Sequence, residues 1–278
     1  DMGHTPFGHA GEDALNECMI NHGGFDHNLQ TLRIIMFLEN KYLRFKGLNL
    51  TIETIDGLLK HNGPIKNTLL INKIIGLKNF KKKINFKNNS SLEAQVSSIS
   101  DDIAYNNHDI QDGLKAKLFS LHDLLEINFF NDIYKSYKKN FKSMNENILI
   151  YQIIRDSIDR MVKDLISNSI NNIKKNKIKT MKNFKKKQVN LVCFSYKFST
   201  LEKEIKNFLR IKMYNNKKVL TKNNNGKKII TKLFKIISNK PNKFISKEHL
   251  ALNKYRAIAD YISGMTDRYA INLYNSLK

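Results

Sequence analysis

Cysteine, proline and tryptophan are scarce in this 278-residue chain. Two cysteines, Cys18 and Cys193, exclude a disulfide framework and point to a reducing compartment. Three prolines, Pro6, Pro64 and Pro241, leave nearly the whole length free to be helical. No apolar run approaches the roughly 20 residues of a membrane span. No basic-plus-apolar secretory signal opens the chain. A cytoplasmic protein with no membrane partner is therefore expected. Acidic residues are also few, 25 against 48 lysines and arginines, for a formal charge of +23. With 41% hydrophobic residues the chain has enough apolar material for a packed core, which excludes a disordered protein.

A charge of that size invites a polyanion partner, and a lysine-rich surface is expected to admit single-stranded nucleic acid. Composition offers an equal account: lysine far outnumbers arginine, and asparagine and isoleucine are abundant, as in an AT-rich genome. The chain opens with Asp1 rather than Met, inside what reads as a motif, so it is taken as a fragment whose upstream segment is missing.

What is present is mostly helical periodicity. Leu29, Leu32, Ile35, Met36 and Leu43 recur at three- and four-residue steps and predict a helix over 27–46. Thr51 caps a helix ending near His61. One long helix is predicted over 145–176, with Ile148, Ile153, Ile154, Ile158, Met161 and Leu165 on its apolar side. Further helices are predicted over 201–214, 227–238 and 252–275. Only Val189–Phe198 looks strand-like, so the class is all-α. Residues 64–90 carry seven lysines and no acid, and 171–200 are again lysine-rich without an acid. The expected organisation is a catalytic core over 1–128 and a lysine-rich helical part over 129–278 packing on it.

Residues 1–62 hold five of the eight histidines, His4, His9, His22, His27 and His61. Two glycines and a proline forbid regular helix before Gly8. A helix then runs through Leu15, Cys18 and Met19 to a glycine stop at Gly23-Gly24. His9 and Glu12 fall one turn apart on one face. A carboxylate beside an imidazole fixes its tautomer and raises its pKa, which suits acid–base work.

A second helix opens at Ser91. At about 100° per residue, Tyr105, His108, Asp109 and Asp112 fall within about 80° of Asp101. Val96, Ile99, Ile103, Ile110 and Leu114 fall on the opposite side. A solvated polar face accounts for such a pattern in an arbitrary helix, but a tyrosine in its middle is unusual.

The opening string Asp1-Met2-Gly3-His4-Thr5-Pro6-Phe7-Gly8-His9-Ala10-Gly11-Glu12 resembles the second half of the HD motif of the HD-domain deoxynucleoside triphosphate triphosphohydrolases, the dGTPase family. Gly23-Gly24-Phe25-Asp26-His27-Asn28, Gly47-Leu48-Asn49-Leu50-Thr51 and Lys60-His61-Asn62-Gly63-Pro64 agree with it. So do Ser100–Asp109 and, near the end, Asp260-Tyr261-Ile262-Ser263-Gly264-Met265-Thr266-Asp267-Arg268-Tyr269-Ala270. The resemblance implies an HD-type helical fold and cleavage of a dGTP-like nucleotide at its α-phosphorus, giving a deoxynucleoside and tripolyphosphate. It implies His9 as the acid–base residue and Glu12 as its orienter. His4 and His27 would line the triphosphate, Tyr105 would pack on substrate, and Asp109 would reach the sugar 3′-hydroxyl. It also implies a divalent ion, Mg²⁺ or Mn²⁺ with Fe or Co as substitutes, held by Asp1, Asp101 and two histidines upstream of Asp1; Asp102 lies on another face and is not counted. A homo-oligomer is expected. With two of four ligands outside the 278 residues, the chain by itself is expected to be inactive. The competing reading is a catalytically impaired HD-fold subunit or a nucleic-acid-binding protein.

Overall fold

The computed structural model describes residues 2–80, 84–140, 145–180, 183, 184, 187 and 189–277. Among them there is no strand, and no helix is long and apolar enough to cross a membrane. The chain forms two compact units, 1–87 with 221–278, and 88–220. The compositional boundary at residue 128 falls inside the second unit.

The first unit opens with α1 (Gly8–Met19) and α2 (His27–Arg33). Asp26 caps α2, its carboxylate accepting from the Leu29 amide at 2.8 Å. The helix expected over 27–46 is cut short. After Arg33 it widens into a π-type turn, Ile34–Leu38, and stops. The chain loops back so that Leu48 N–H donates to the Ile35 carbonyl at 2.7 Å. A Cβ on Gly47 would lie 2.4 Å from that same oxygen, so only glycine permits the return. Leu43, assigned by periodicity to a buried face, is fully exposed on this loop. Next come α3 (Ile52–Leu59), capped by Thr51 as expected, and α4 (Leu69–Ile74).

The second unit is built on α5 (Leu92–Lys115), α6 (Leu121–Leu124), α7 (Asn128–Asn140), α8 (Glu146–Lys175) and α9 (Tyr196–Leu209). Ile103 and Ile110 of α5 are buried with Ile153, Ile154, Met161 and Leu165 of α8. The expected apolar sides are narrower than the wheel suggests, because Val96 and Ile148 are exposed.

The strand-like segment before α9 pairs with no strand. Gln95 Oε1 accepts from the Leu191 and Val192 amides at 3.1 and 3.2 Å. Asn172 and Asn168 donate to the Leu191 and Cys193 carbonyls, and Asp164 accepts from the Ser195 amide. Side chains of α5 and α8 thus take the place of a neighbouring strand, which satisfies the buried backbone without a sheet.

The chain returns to the first unit through α10 (Lys217–Asn239), followed by α11 (Lys247–Leu252), α12 (Lys254–Ser263) and α13 (Asp267–Ser276). The single helix expected over 252–275 is broken: Thr266 caps α13, its hydroxyl accepting from the Tyr269 amide. Leu15 and Met19 of α1 pack with Ile230, Leu233 and Ile237 of α10 and with Ile258 and Ile262 of α12. Each such fully buried side chain contributes about 1.5–3 kcal/mol. This packing seats the amino-terminal loop against the carboxy-terminal helices.

Candidate functional site

The loop before α1 is held by its backbone. Gly3 N–H donates to Thr31 Oγ1 on α2 at 3.0 Å. Thr5 Oγ1 donates to the Gly8 carbonyl at 3.0 Å, and Phe7 N–H donates to Asp267 Oδ1 at 2.9 Å. A Cβ on Gly11 would lie 1.8 Å from the Pro6 carbonyl oxygen, so loop and helix touch where only glycine fits. These constraints bring three imidazoles together. The ring centroid of His4 lies 4.3 Å from that of His27 and 5.6 Å from that of His9. One ring nitrogen from each of the three lies within 4.8 Å of the other two.

Glu12 organises the cluster. His27 N–H donates to Oε1 at 2.9 Å, and His27 Nδ1 lies 2.9 Å from both carboxylate oxygens. His9 Nδ1 lies 3.2 Å from Oε2. An ionised carboxylate only accepts, so both Nδ1 atoms carry protons and each imidazole presents Nε2 outward. The expected His9–Glu12 pair is present, but the tighter partner of Glu12 is His27.

The electrostatics follow. Burial pushes the Glu12 carboxyl up, but the His27 ring and backbone hydrogen bonds and the His27 charge outweigh it and hold the group at about 2. The hydrogen bond from Glu12 raises His27, against its partial burial. Burial and then the two neighbouring imidazoles lower His4. Within one cluster, Glu12 therefore drives His27 up while burial and the neighbouring imidazoles drive His4 down.

The carboxy-terminal string from Asp260, with Arg256 one turn before it, supports α2. Arg256 Nη2 donates to the Gly24 carbonyl at 2.8 Å, at the entry to α2. At the other end of α2, Arg33 and Gln30 donate to Asp260, at 2.9 Å from Arg33 Nε and 3.0 Å from Gln30. So α12 grips both ends of the helix that presents His27.

The second unit carries a different cluster on α5. Asp101 and Tyr105 are exposed and Asp109 is half-buried. The Tyr214 hydroxyl donates to Asp109 Oδ2, and Tyr105 hydrogen-bonds into the same group. Burial raises Asp109, and the tyrosine hydrogen bonds only partly offset it. Burial and the Asp109 hydrogen bond raise Tyr214 far above its ordinary range. Sequence reasoning missed Tyr214: it closes a π-type turn, Arg210–Tyr214, 105 residues from its partner, and no local pattern marks it. Asp102 is accounted for separately by an ion pair with Lys206 at 2.9 Å. Asp1, expected as a metal ligand, lies outside the described residues. Among the described residues Asp101 joins no group of three metal-ligand side chains.

Residues 192–276 match the phosphohydrolase-associated domain. A deoxyguanosinetriphosphate triphosphohydrolase-like protein of Pelagibacter ubique is 70% identical over 273 residues, spanning 98% of this chain and 74% of the relative. Proteins of the same description from Bartonella quintana and Rickettsia conorii are 41% and 38% identical over all of this chain, spanning 72% and 73% of their own lengths.

Proposed function

Because the chain belongs to the deoxyguanosinetriphosphate triphosphohydrolase-like family of HD-domain phosphohydrolases, we propose that it hydrolyses a dGTP-like deoxynucleoside triphosphate to the deoxynucleoside and tripolyphosphate. The observation that supports this most is Glu12 holding His9 and His27 by their Nδ1 protons. Such a pair leaves Nε2 of His9 to exchange a proton, and the side chain of His9 is 68% exposed and open to substrate. In the proposed step a water oxygen bonds to the α-phosphorus while the bond from phosphorus to the 5′-oxygen breaks. His9 moves the proton that the 5′-oxygen gains. His27, held by Glu12, and His4 beside it line the triphosphate and offer it hydrogen bonds. Tyr105 and Asp109 are proposed to hold the sugar, with Tyr214 fixing the Asp109 carboxyl.

A divalent ion, Mg²⁺ or Mn²⁺, is proposed for the reaction from the resemblance. The donor set of the described residues does not fit it: Asp101 supplies one carboxylate and no described histidine completes a group around it. No step above is routed through the ion. The test is chromatography of a protein that spans the full length of its relatives, incubated with dGTP and Mn²⁺. Deoxyguanosine with tripolyphosphate is the expected product pair. Orthophosphate or pyrophosphate as the released phosphate would overturn the reading.

A further inference from the structure

We propose that His4, His9 and His27 form a binding site for a borderline-soft divalent cation of the zinc class. This site differs in chemistry from the oxygen-seeking ion discussed above. Three imidazole nitrogens with a fourth position open are a donor set that zinc-class ions take and that Mg²⁺ does not favour. Tetrahedral coordination with bonds of about 2.0–2.1 Å puts nitrogens about 3.3 Å apart. One nitrogen of each ring already lies within 4.8 Å of one on each of the other two, so modest movements of the rings close the set.

Three features make this more than a chance of proximity. First, the imidazoles come from three separately anchored places. His4 follows Gly3, whose amide is bonded to Thr31; His9 stands in the first turn of α1; His27 opens α2, which Arg256 and Asp260 grip at its two ends. A ligand set on rigid elements loses little freedom when an ion arrives. Second, metal-binding histidines almost always give their other ring N–H to a carboxylate, which fixes the tautomer and makes the ligating nitrogen more basic. Glu12 does this for His9 and His27 at once, at 3.2 and 2.9 Å. Third, the exposed His9 side chain provides the entry path.

An ion there takes the Nε2 lone pairs that proton transfer uses, so Zn²⁺ acts as an inhibitor of the proposed hydrolysis. That consequence rests on the reading in the previous section; the binding itself does not.

The experiment is a titration of the full chain with Co²⁺ in the absence of nucleotide, followed by visible absorption, then displacement by Zn²⁺. One equivalent of Co²⁺ is expected to give the intense bands of a tetrahedral nitrogen-rich site, abolished by Zn²⁺. His9→Ala, whose side chain is exposed and whose fold is safe, is expected to remove the bands or weaken affinity at least tenfold. Glu12→Gln is expected to weaken it by about 10–100-fold. His249→Ala, outside the cluster, is expected to change nothing. Absence of tetrahedral bands, or bands unchanged in His9→Ala, would overturn the site. A chain that binds Co²⁺ through these histidines yet hydrolyses no nucleotide upholds the site and overturns the hydrolysis reading. A protein that hydrolyses dGTP yet gives no tetrahedral Co²⁺ bands does the reverse.

Discussion

Glu12 and Asp109 are both partly buried carboxylates that accept hydrogen bonds from ring side chains, yet they are driven in opposite directions. Burial pushes each of them up. Glu12 faces imidazoles, one of which can take a full positive charge, and ends at about 2. Asp109 faces phenols, which offer hydrogen bonds but no charge, and ends above its ordinary value. At similar burial the sign follows the partners: Glu12 accepts from the His27 ring and backbone and from His9 as well as facing the His27 charge, whereas the tyrosine bonds to Asp109 are opposed by the charge of Asp112.

The contrast can be broken at several points. The largest effect is expected from Asp101→Asn, which lies on the same face as Tyr105 and should abolish Mn²⁺-dependent turnover of a protein that spans the full length of its relatives. Retained turnover would remove Asp101 from the proposed ion shell. His9→Ala should lower kcat by about 10²–10⁴ with little loss of folding. A change in KM alone would show a substrate contact without proton transfer. Tyr214→Phe is expected to cost about 1.5–3 kcal/mol, as for a hydrogen bond to a charged acceptor, and to push Asp109 further up. Carbon-13 titration of the Asp109 carboxyl checks the second part; an unchanged midpoint would mean that Tyr214 is not its principal donor. The smallest effect is expected from Asp102→Asn, which loses only a surface pair with Lys206 and should cost about 0–1 kcal/mol, read from chemical denaturation.

Glu12→Gln sharpens the comparison through pH. Glu12 is lowered from 4.5 to about 2, so its contribution to stability is complete above pH 4.5 and is lost as pH falls through 2. His27 is raised from 6.5, so its contribution is complete below pH 6.5 and is lost as pH rises through its folded value. Both act together between pH 4.5 and 6.5. The Tm difference between the native protein and Glu12→Gln should be greatest in that window and shrink on both sides. A difference independent of pH would mean that the pair carries no charge coupling.

Much of this was legible in the residues. His9 and Glu12 three apart on a helix had to meet, Thr51 and Ser91 cap the helices they precede, and the alternation of Ile103, Ile110, Ile153 and Met161 marked the buried faces. These are local rules of spacing and capping. The failures share a different cause. The helix over 27–46 stops because the chain returns onto it at Gly47, and 189–198 is extended because Gln95, Asn168 and Asn172 satisfy it. Tyr214 meets Asp109 only through the packing of α9 against α5. Each depends on a partner distant in sequence, which periodicity does not register. The preference of Glu12 for His27 over His9 belongs to the same class, since the nearer partner in sequence is the weaker one.

The bond from the Phe7 amide to Asp267 spans 260 residues. During synthesis, the loop that aligns His4 with His27 emerges from the ribosome 260 residues ahead of the side chain that bonds the Phe7 amide. This one anchor of the loop is therefore completed only after α13 has been made, whereas the Gly3–Thr31 bond forms within the first unit's opening helices. A message cut short before Asp267 yields a protein that carries every histidine of the cluster and lacks that anchor.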